Sequence, residues 1–175
     1  CAKSHLKIKK IYNNILTIII PRHVDRVGKI NADLSKLDLK VVLSSKIEQL
    51  SEETDIILVD SYGETLKFYS ISKYVFIGKS SIQSLIKDSG QSPIEPARLG
   101  CKILHGPFIS NFKEIYEYLK NLGITKKINN SDELSVSLVE EFKADRAKNQ
   151  EIAAKIENYG QNVLNNVTLE LKKYI

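Results

Sequence analysis

A run of apolar and β-branched residues from Ile15 to Ile20 constrains the fold more than any other part of this sequence. A run of this kind that stops abruptly, here at Pro21, is typical of a buried strand in a parallel sheet. It is also far shorter than the ~18 apolar residues that a membrane-spanning helix requires. We therefore expect Ile15–Ile20 to form a buried parallel strand.

Strand and helix patterns alternate along the rest of the chain. Strands are predicted at 40–43, 56–59, 74–77, 101–104 and 124–128. Helices are predicted at 24–37, 65–72, 93–99, 111–121 and from 132 to the end, with a break near Gly160. Such alternation predicts an α/β fold, a parallel sheet with helices on both faces. The 175 residues fit one domain, 1–175, with C-terminal helices from about residue 132.

The composition argues against several classes of protein. The net charge is +5, but lysine and glutamate are interspersed rather than gathered in a basic block, so nucleic acid is not an expected partner. Cys1 and Cys101 have neither metal nor redox spacing, which favours a reduced environment. The sequence contains no methionine, so we expect it to be a processed chain or a piece of a longer one.

Familiar catalytic and cofactor motifs do not occur in the sequence. It has no glycine-rich dinucleotide fingerprint, no Walker loop and no nucleophile elbow. There is no D-x-D pair to hold a metal on a diphosphate, and histidine and cysteine are too few and scattered for a zinc site. We therefore expect neither a metal nor another cofactor.

Three stretches follow predicted strands, where the loops of an open parallel sheet form the ligand crevice. The first is Pro21-Arg22-His23. Arginine is rare in this chain, and a guanidinium at the carboxyl end of a strand can hold a phosphate through two hydrogen bonds. The alternative is a solvated residue at a helix start. A structural role at this turn is favoured for His23.

The second stretch is Asp60–Glu64, between the strand at 56–59 and the next helix. Gly63 allows the backbone to approach a ligand closely, and backbone N–H groups at a helix start favour an anion or a polar base edge. The competing interpretation is a capping box in which Ser61 and Glu64 cap the following helix.

The third stretch, Gly90–Ala97, leads from a glycine into a helix with proline in its first turn. Free N–H groups and the positive end of the helix dipole would then face the crevice. Glu95 lies in the first turn, where its carboxylate can accept two hydrogen bonds from a vicinal diol such as ribose. A carboxylate at this position can also simply complement the helix dipole.

In order along the chain, four motifs closely resemble those of one family, the 3-deoxy-D-manno-octulosonic acid (Kdo) transferases of lipopolysaccharide synthesis. The motifs are Pro21-Arg22-His23, Asp60–Glu64, Gly90–Ala97, and Gly106-Pro107 with Asn111-Phe112. The resemblance extends from about Leu16 to the C-terminus. It implies a GT-B glycosyltransferase, two Rossmann-like domains facing across a cleft, of which this chain would be the C-terminal half.

The resemblance also implies what each half does. The C-terminal half binds CMP-Kdo, whereas the N-terminal half binds the lipid A precursor (lipid IVA), carries the membrane anchor and supplies the catalytic carboxylate. This chain is therefore expected to be soluble, to bind CMP, to hold no catalytic residue and to be inactive alone. The complete enzyme is expected at the cytoplasmic face of the bacterial inner membrane. The CMP contacts of the family map onto Pro21, Arg22, Tyr62, Gly63, Glu64, Ser92, Pro93, Ile94 and Glu95.

The sequence departs from the family motifs at several positions. Tyr62 replaces a methionine, and Ser89, Gln91 and Ser92 stand where glycine, histidine and asparagine are usual. Two alternatives stay open: a stand-alone nucleotide-binding or regulatory domain, and the donor domain of another GT-B transferase. Against a uridine-nucleotide transferase, Lys87 occupies the position eight before Glu95 at which many such enzymes have glutamate.

Overall fold

The computed structural model describes residues 1–48, 50–84, 91–144 and 150–174. The chain forms two compact units, each with its own parallel sheet. Unit 1 comprises Cys1–Phe68 and Ser131–Ala144, and unit 2 comprises Tyr69–Asn130 and Asp145–Ile175.

Unit 1 is built on a three-stranded parallel sheet with the strand order β1–β3–β2. The strands are β1 (Thr17–Ile19), β2 (Val41–Leu43) and β3 (Ile56–Leu58). Within the apolar run at Ile15–Ile20, residues Thr17–Ile19 form the parallel strand β1. They are only half-buried, so the prediction of a buried strand is wrong. The fully buried strand is β3, which lies between the other two.

Three helices of unit 1 are α1 (Ala2–Lys9), α2 (Val27–Ser35) and α6 (Ser131–Ala144). The boundary between the units falls within α3 (Thr65–Ile71). α1 and α6 pack against each other. The Ser4 hydroxyl donates to the Ser131 carbonyl at 3.0 Å, which ties the two helices at their starts.

Side chains on both faces of β3 are covered, because successive residues of a strand point to opposite sides. On one side, Ile56 packs with Leu34 and Leu39. On the other, Ile57 packs with Phe68. This two-sided burial explains why β3 reads as an uninterrupted apolar sequence rather than an alternating one.

A buried polar network lies at the amino ends of the strands in unit 1. The Asp55 carboxylate accepts hydrogen bonds from the Lys40 backbone N–H at 2.9 Å and from the Lys9 ammonium. His5, itself buried, contacts Asp55 through Nε2 at 3.3 Å and Thr17 Oγ1 through Nδ1 at 2.9 Å. Burial alone would raise the pKa of Asp55, but these hydrogen bonds hold the pKa below its ordinary value. The network fixes α1 against the sheet.

Unit 2 is built on a second three-stranded parallel sheet, with the order β4–β5–β6. The strands are β4 (Tyr74–Ile77), β5 (Lys102–His105) and β6 (Thr125–Lys127). Its helices are α4 (Ile94–Arg98), α5 (Lys113–Asn121) and α7 (Gln150–Leu171). One cluster of buried side chains joins the sheet to these helices: Val75, Ile77, Ala97, Cys101, Ile103, Tyr116, Leu119, Ile124, Ile152 and Ile156.

The predicted α/β fold with parallel strands is confirmed, and four details differ. The strands form two sheets of three within the described residues, and α1 was not predicted. Gly160 lies inside α7, so no break occurs there. The helix predicted at 93–99 begins at Ile94, with Pro93 as the residue before it. In the part of the chain that the structure describes, no helix is long and apolar enough to span a bilayer.

The Asp55 network predicts a specific acid sensitivity. Asp55→Asn removes the charge that Lys9 and the Lys40 N–H contact, so the free energy of unfolding near pH 7 should fall by about 1.5–3 kcal/mol, the value of a hydrogen bond to a charged group. Because the pKa of Asp55 is lowered in the folded state, its stabilisation is present above the ordinary pKa of 3.8 and disappears as the pH falls through the folded-state pKa. Urea unfolding curves of the two proteins should therefore converge below about pH 4.

Asp33→Asn is the matched control. Asp33 also has a lowered pKa, owing to its hydrogen bond with Lys36, but it is exposed. Its replacement should leave the unfolding curve nearly unchanged. An Asp55→Asn protein as stable as the wild type at pH 7 would contradict the role given to the network.

Candidate functional site

Two of the three predicted stretches meet at the carboxyl edge of the unit 1 sheet. β1 and β3 are parallel neighbours, so the loops after them leave the sheet at the same edge. Pro21-Arg22-His23 follows β1, and Asp60–Glu64 follows β3. The Tyr62 hydroxyl accepts a hydrogen bond from the backbone N–H of Val24 at 3.4 Å and so joins the two loops.

The Arg22 side chain is exposed in the loop after β1. No described residue forms a hydrogen bond or an ion pair with its guanidinium. A 3₁₀ turn at Val24–Arg26 separates it from α2, so Arg22 is not the first residue of a helix. An exposed, unpaired guanidinium can bind an anion with both arms of its fork. His23 begins the 3₁₀ turn without a side-chain capping bond.

Asp60 is hydrogen-bonded to two serines in the loop after β2, which the sequence analysis did not predict. Its carboxylate accepts hydrogen bonds from the Ser45 hydroxyl at 2.5 Å, the Ser45 N–H at 2.9 Å and the Ser44 hydroxyl at 2.8 Å. The Ser45 hydroxyl contributes most to lowering the pKa of Asp60. Asp60 therefore ties the loop after β2 to the loop after β3. Its carboxylate is used in these hydrogen bonds and is not free to bind a ligand.

Gly63 has a backbone conformation that other residues rarely adopt. Its φ is 84°, in the left-handed region, and the space where a Cβ would lie is open. Glu64 precedes α3, with its carboxylate 3.6 Å from the Lys67 ammonium. A capping box would require the helix to start directly after Ser61, whereas α3 starts at Thr65. The turn at Gly63 therefore leaves an exposed backbone rather than a capped helix start.

The third stretch belongs to unit 2, and Gly90 at its start lies outside the described residues. α4 is only five residues long. The Ser92 hydroxyl accepts the Ile94 N–H at 3.4 Å, so one of the N–H groups expected to face a ligand already has a partner. Pro93 and Pro96 are buried. The prolines anchor α4 in the core while Ile94 is exposed.

Glu95 is the exposed carboxylate of this short helix. Within the described ranges no hydrogen bond or ion pair engages it. Its charge acts on Tyr69, whose pKa is raised first by burial and second by Glu95. A carboxylate with both oxygens open can accept two hydrogen bonds from a diol, as the sequence predicts.

Hydrogen bonds of Ser80 link the carboxyl ends of β4 and β5. The buried Ser80 hydroxyl donates to the Ile77 carbonyl at 2.5 Å and accepts the Gly106 N–H at 2.6 Å. A Cβ on Gly106 would collide with the Ser80 carbonyl oxygen. Gly106, part of the fourth motif, therefore has a packing reason to be glycine.

The predicted site residues fall into two groups. Unit 1 holds Pro21, Arg22, Tyr62, Gly63 and Glu64, which lie in the two loops joined at one sheet edge. Unit 2 holds Ser92, Pro93, Ile94 and Glu95, which lie on α4 or directly before it. Among the described residues, no group of three histidine, cysteine, aspartate or glutamate side chains could hold a metal ion.

Known proteins resemble this chain over most of its length. It is 30% identical over 162 residues to a 3-deoxy-D-manno-octulosonic acid transferase of Haemophilus influenzae, covering 93% of this chain and 36% of the relative. It is 27% identical to the transferase of the same name from Aquifex aeolicus, covering 79% of this chain and 36% of the relative. A bifunctional glycosyltransferase/methyltransferase of Fusobacterium nucleatum is 29% identical, over 94% of this chain and 25% of the relative.

The chain thus spans about a third of the length of the Kdo transferases it matches. No family model matches it. Its fold is that of the C-terminal CMP-Kdo binding domain of WaaA from Acinetobacter baumannii, with a TM-score of 0.65 at 17% identity over 90% of this chain and 96% of that one. The resemblance predicted from the four motifs is confirmed, and so is the predicted Rossmann-like fold.

The conformation of Gly63 generates a prediction about stability. Gly63→Ala should lower the free energy of unfolding by about 1–2 kcal/mol, the cost of a left-handed conformation for a residue with a Cβ. The surrounding space is open, so no steric clash adds to this cost. Gly28→Ala is the control, because it lies in α2 with equally open space and should raise stability by up to about 1 kcal/mol. Urea unfolding measures both, and equal effects of the same sign would rule out the strained turn.

Proposed function

We propose that this chain is the donor-binding part of a glycosyltransferase that transfers Kdo from CMP-Kdo to a lipid A precursor in lipopolysaccharide synthesis. The observation that carries the proposal is the state of Arg22 and Glu95. The family resemblance assigns both to CMP contacts, and both are exposed charges without a partner among the described residues. The similarity to Kdo transferases over nine-tenths of the chain supports the same function.

Arg22 is proposed to bind the phosphate of CMP. When the bond between the sugar and the phosphate breaks, negative charge grows on the departing phosphate oxygen. A guanidinium already in place stabilises that charge more in the transition state than in the ground state. A monophosphate leaving group of this kind can depart without a metal if such a donor is present.

Glu95 is proposed to bind the ribose of CMP. Its carboxylate oxygens can accept one hydrogen bond from each of the two hydroxyls, and charge-assisted bonds of this type are the stronger ones. Ribose does not change during the transfer, so this contact contributes to binding rather than to the chemical step. The buried prolines on either side of Ile94 and Glu95 fix the backbone that presents the carboxylate.

The turn at Tyr62-Gly63-Glu64 is proposed to contact the nucleotide mainly through its backbone. Gly63 is exposed and has no side chain, so a ligand can approach its N–H closely. Tyr62 is 72% exposed, and its hydroxyl reaches the Val24 N–H in the Arg22 loop. Tyr62 therefore links the two loops of unit 1 through its hydroxyl, which the methionine usual at this position lacks.

The remaining steps of the reaction are assigned to the part of the enzyme that this chain does not contain. The chain covers 36% of the Haemophilus relative. The resemblance assigns the proton acceptor to the N-terminal half of such an enzyme, so we propose no residue of this chain as the general base. We place acceptor binding, proton removal and membrane attachment in the rest of the enzyme, at the cytoplasmic face of the bacterial inner membrane. The isolated chain should therefore bind donor nucleotide without transferring sugar.

A GT-B transferase whose donor carries another nucleotide, such as a uridine nucleotide, is the second candidate. The Fusobacterium relative supports it, because that protein is described only as a bifunctional glycosyltransferase/methyltransferase. The two candidates differ in the nucleobase that the chain should recognise, which makes nucleotide selectivity the discriminating measurement.

We therefore predict selectivity for CMP. In ¹H–¹⁵N spectra of this chain, CMP should shift the amide signals of Arg22, Gly63 and Glu95 more than UMP or AMP does. Because this chain corresponds to only about a third of its relatives' length, we expect weak binding. The dissociation constant should be near the millimolar range, which is a binding free energy of about −4 kcal/mol. Equal, small shifts at surface lysines for all three nucleotides would mean that only nonspecific charge attraction is present.

Substitutions of Arg22 and Glu95 should separate the roles of these two residues. Arg22→Ala should weaken CMP binding by about tenfold or more, as expected for a lost charged hydrogen bond, and leave cytidine binding unchanged. Glu95→Gln should weaken CMP binding but not the binding of 2′,3′-dideoxy-CMP, which lacks the diol. Titration by the same amide signals measures all four combinations.

Each variant has a control of matched charge. Arg26→Ala removes another exposed arginine near the same loop, and Glu114→Gln removes an acidic residue in the first turn of α5. Both should bind CMP as the wild type does. If Arg22→Ala and Arg26→Ala weaken CMP binding equally, the phosphate is attracted by general charge and the assignment of Arg22 is wrong.

A further inference from the structure

Tyr116 is the largest side chain in unit 2 that is almost completely buried, at 1% exposure. Its ring packs against the ring of His105, with 4.4 Å between the centroids. Burial is the main cause that raises the pKa of Tyr116, so the hydroxyl stays protonated and acts as a donor. A buried hydroxyl is costly unless it is hydrogen-bonded, and phenylalanine would fill the same volume without that cost.

The hydroxyl of Tyr116 donates to the backbone carbonyl of Gln91 at 3.2 Å. Gln91 directly precedes Ser92. Within the third stretch, Ser92 is the first residue that the resemblance assigns to a CMP contact. The bond therefore links α5 to the backbone that carries Ser92 and Glu95. It reaches this backbone from 25 residues further along the chain.

The position of the Tyr116 ring is itself fixed. His105 is buried at the end of β5, and its Nδ1 lies 2.7 Å from the Gly106 carbonyl oxygen. Burial lowers the pKa of His105, which favours a neutral ring whose Nδ1–H donates to that carbonyl. The Gly106 N–H in turn donates to the Ser80 hydroxyl. Through its ring contact with His105, Tyr116 thus connects the hydrogen-bonded residues at the carboxyl ends of β4 and β5 to Gln91.

We infer that Tyr116 is a positioning residue for donor binding, which holds the Ser92–Glu95 backbone in its binding conformation through the Gln91 carbonyl. The inference rests on the proposed function, since it concerns the same nucleotide. Tyr116 does not touch the ligand in this account. Its hydroxyl lowers the conformational freedom that the backbone before α4 would otherwise lose when CMP binds.

Tyr116→Phe tests this inference in the 175-residue chain. The ring and its contact with His105 are retained, and only the hydroxyl is lost. The dissociation constant for CMP should rise about 3- to 10-fold, the effect of one neutral hydrogen bond. Hydrogen exchange of the Ser92, Ile94 and Glu95 amides in the absence of ligand should become faster, while the amides of β5 exchange as before.

Tyr118→Phe is the matched control on the same helix. The Tyr118 hydroxyl also donates to a backbone carbonyl, that of Lys155 at 3.3 Å, but Lys155 lies on α7. This variant should leave both CMP affinity and the exchange of the Ser92–Glu95 amides unchanged. Thermal melts of both variants establish how much global stability each loses.

The exchange measurement keeps this inference separable from the proposed function. If the wild-type chain does not bind CMP, the proposed function fails, and faster exchange at Ser92–Glu95 in Tyr116→Phe alone still identifies Tyr116 as the residue that orders this backbone. Suppose instead that the wild type binds CMP, and that Tyr116→Phe matches Tyr118→Phe both in CMP affinity and in hydrogen exchange of the Ser92–Glu95 amides. The positioning role of Tyr116 is then overturned.

Discussion

Parallel pairing of β1 with β3 is the constraint on which the proposed donor site in unit 1 depends. Parallel neighbours leave the sheet at the same edge, so the loop that carries Arg22 and the loop that carries Gly63 must start side by side. β3 is buried on both faces and holds this arrangement in place. The loops themselves then need only short-range links, such as the bond from Val24 to Tyr62.

Polar residues divide into those that build the scaffold and those that are left open. Asp55, Asp60 and Ser80 each satisfy several hydrogen bonds at the end of a strand, and each is more valuable to the fold than to a ligand. Arg22 and Glu95 are exposed and without partners among the described residues. Charges that the fold does not use are available for recognition, and Arg22 and Glu95 are therefore the residues that we propose to bind the donor.

Much of this could be predicted from the sequence, because apolar strands and turn residues have local patterns. β4 was predicted at its observed bounds, and the first two stretches were placed after the strands that they follow, β1 and β3. α1 was missed because two of its three buried residues, Ser4 and His5, are polar, so it has no apolar periodicity. Tyr116 was missed for a different reason: its partner is a backbone carbonyl 25 residues away, and no sequence pattern reports such a contact.

The most direct test of the central claim is a crystal structure of this chain with CMP. We predict that the phosphate lies on the Arg22 guanidinium and the ribose hydroxyls on the Glu95 carboxylate, with the backbone of Gly63 against the nucleotide. CMP bound elsewhere, with Arg22 and Glu95 both still facing solvent, would contradict the assignment of these residues and the proposed function with it.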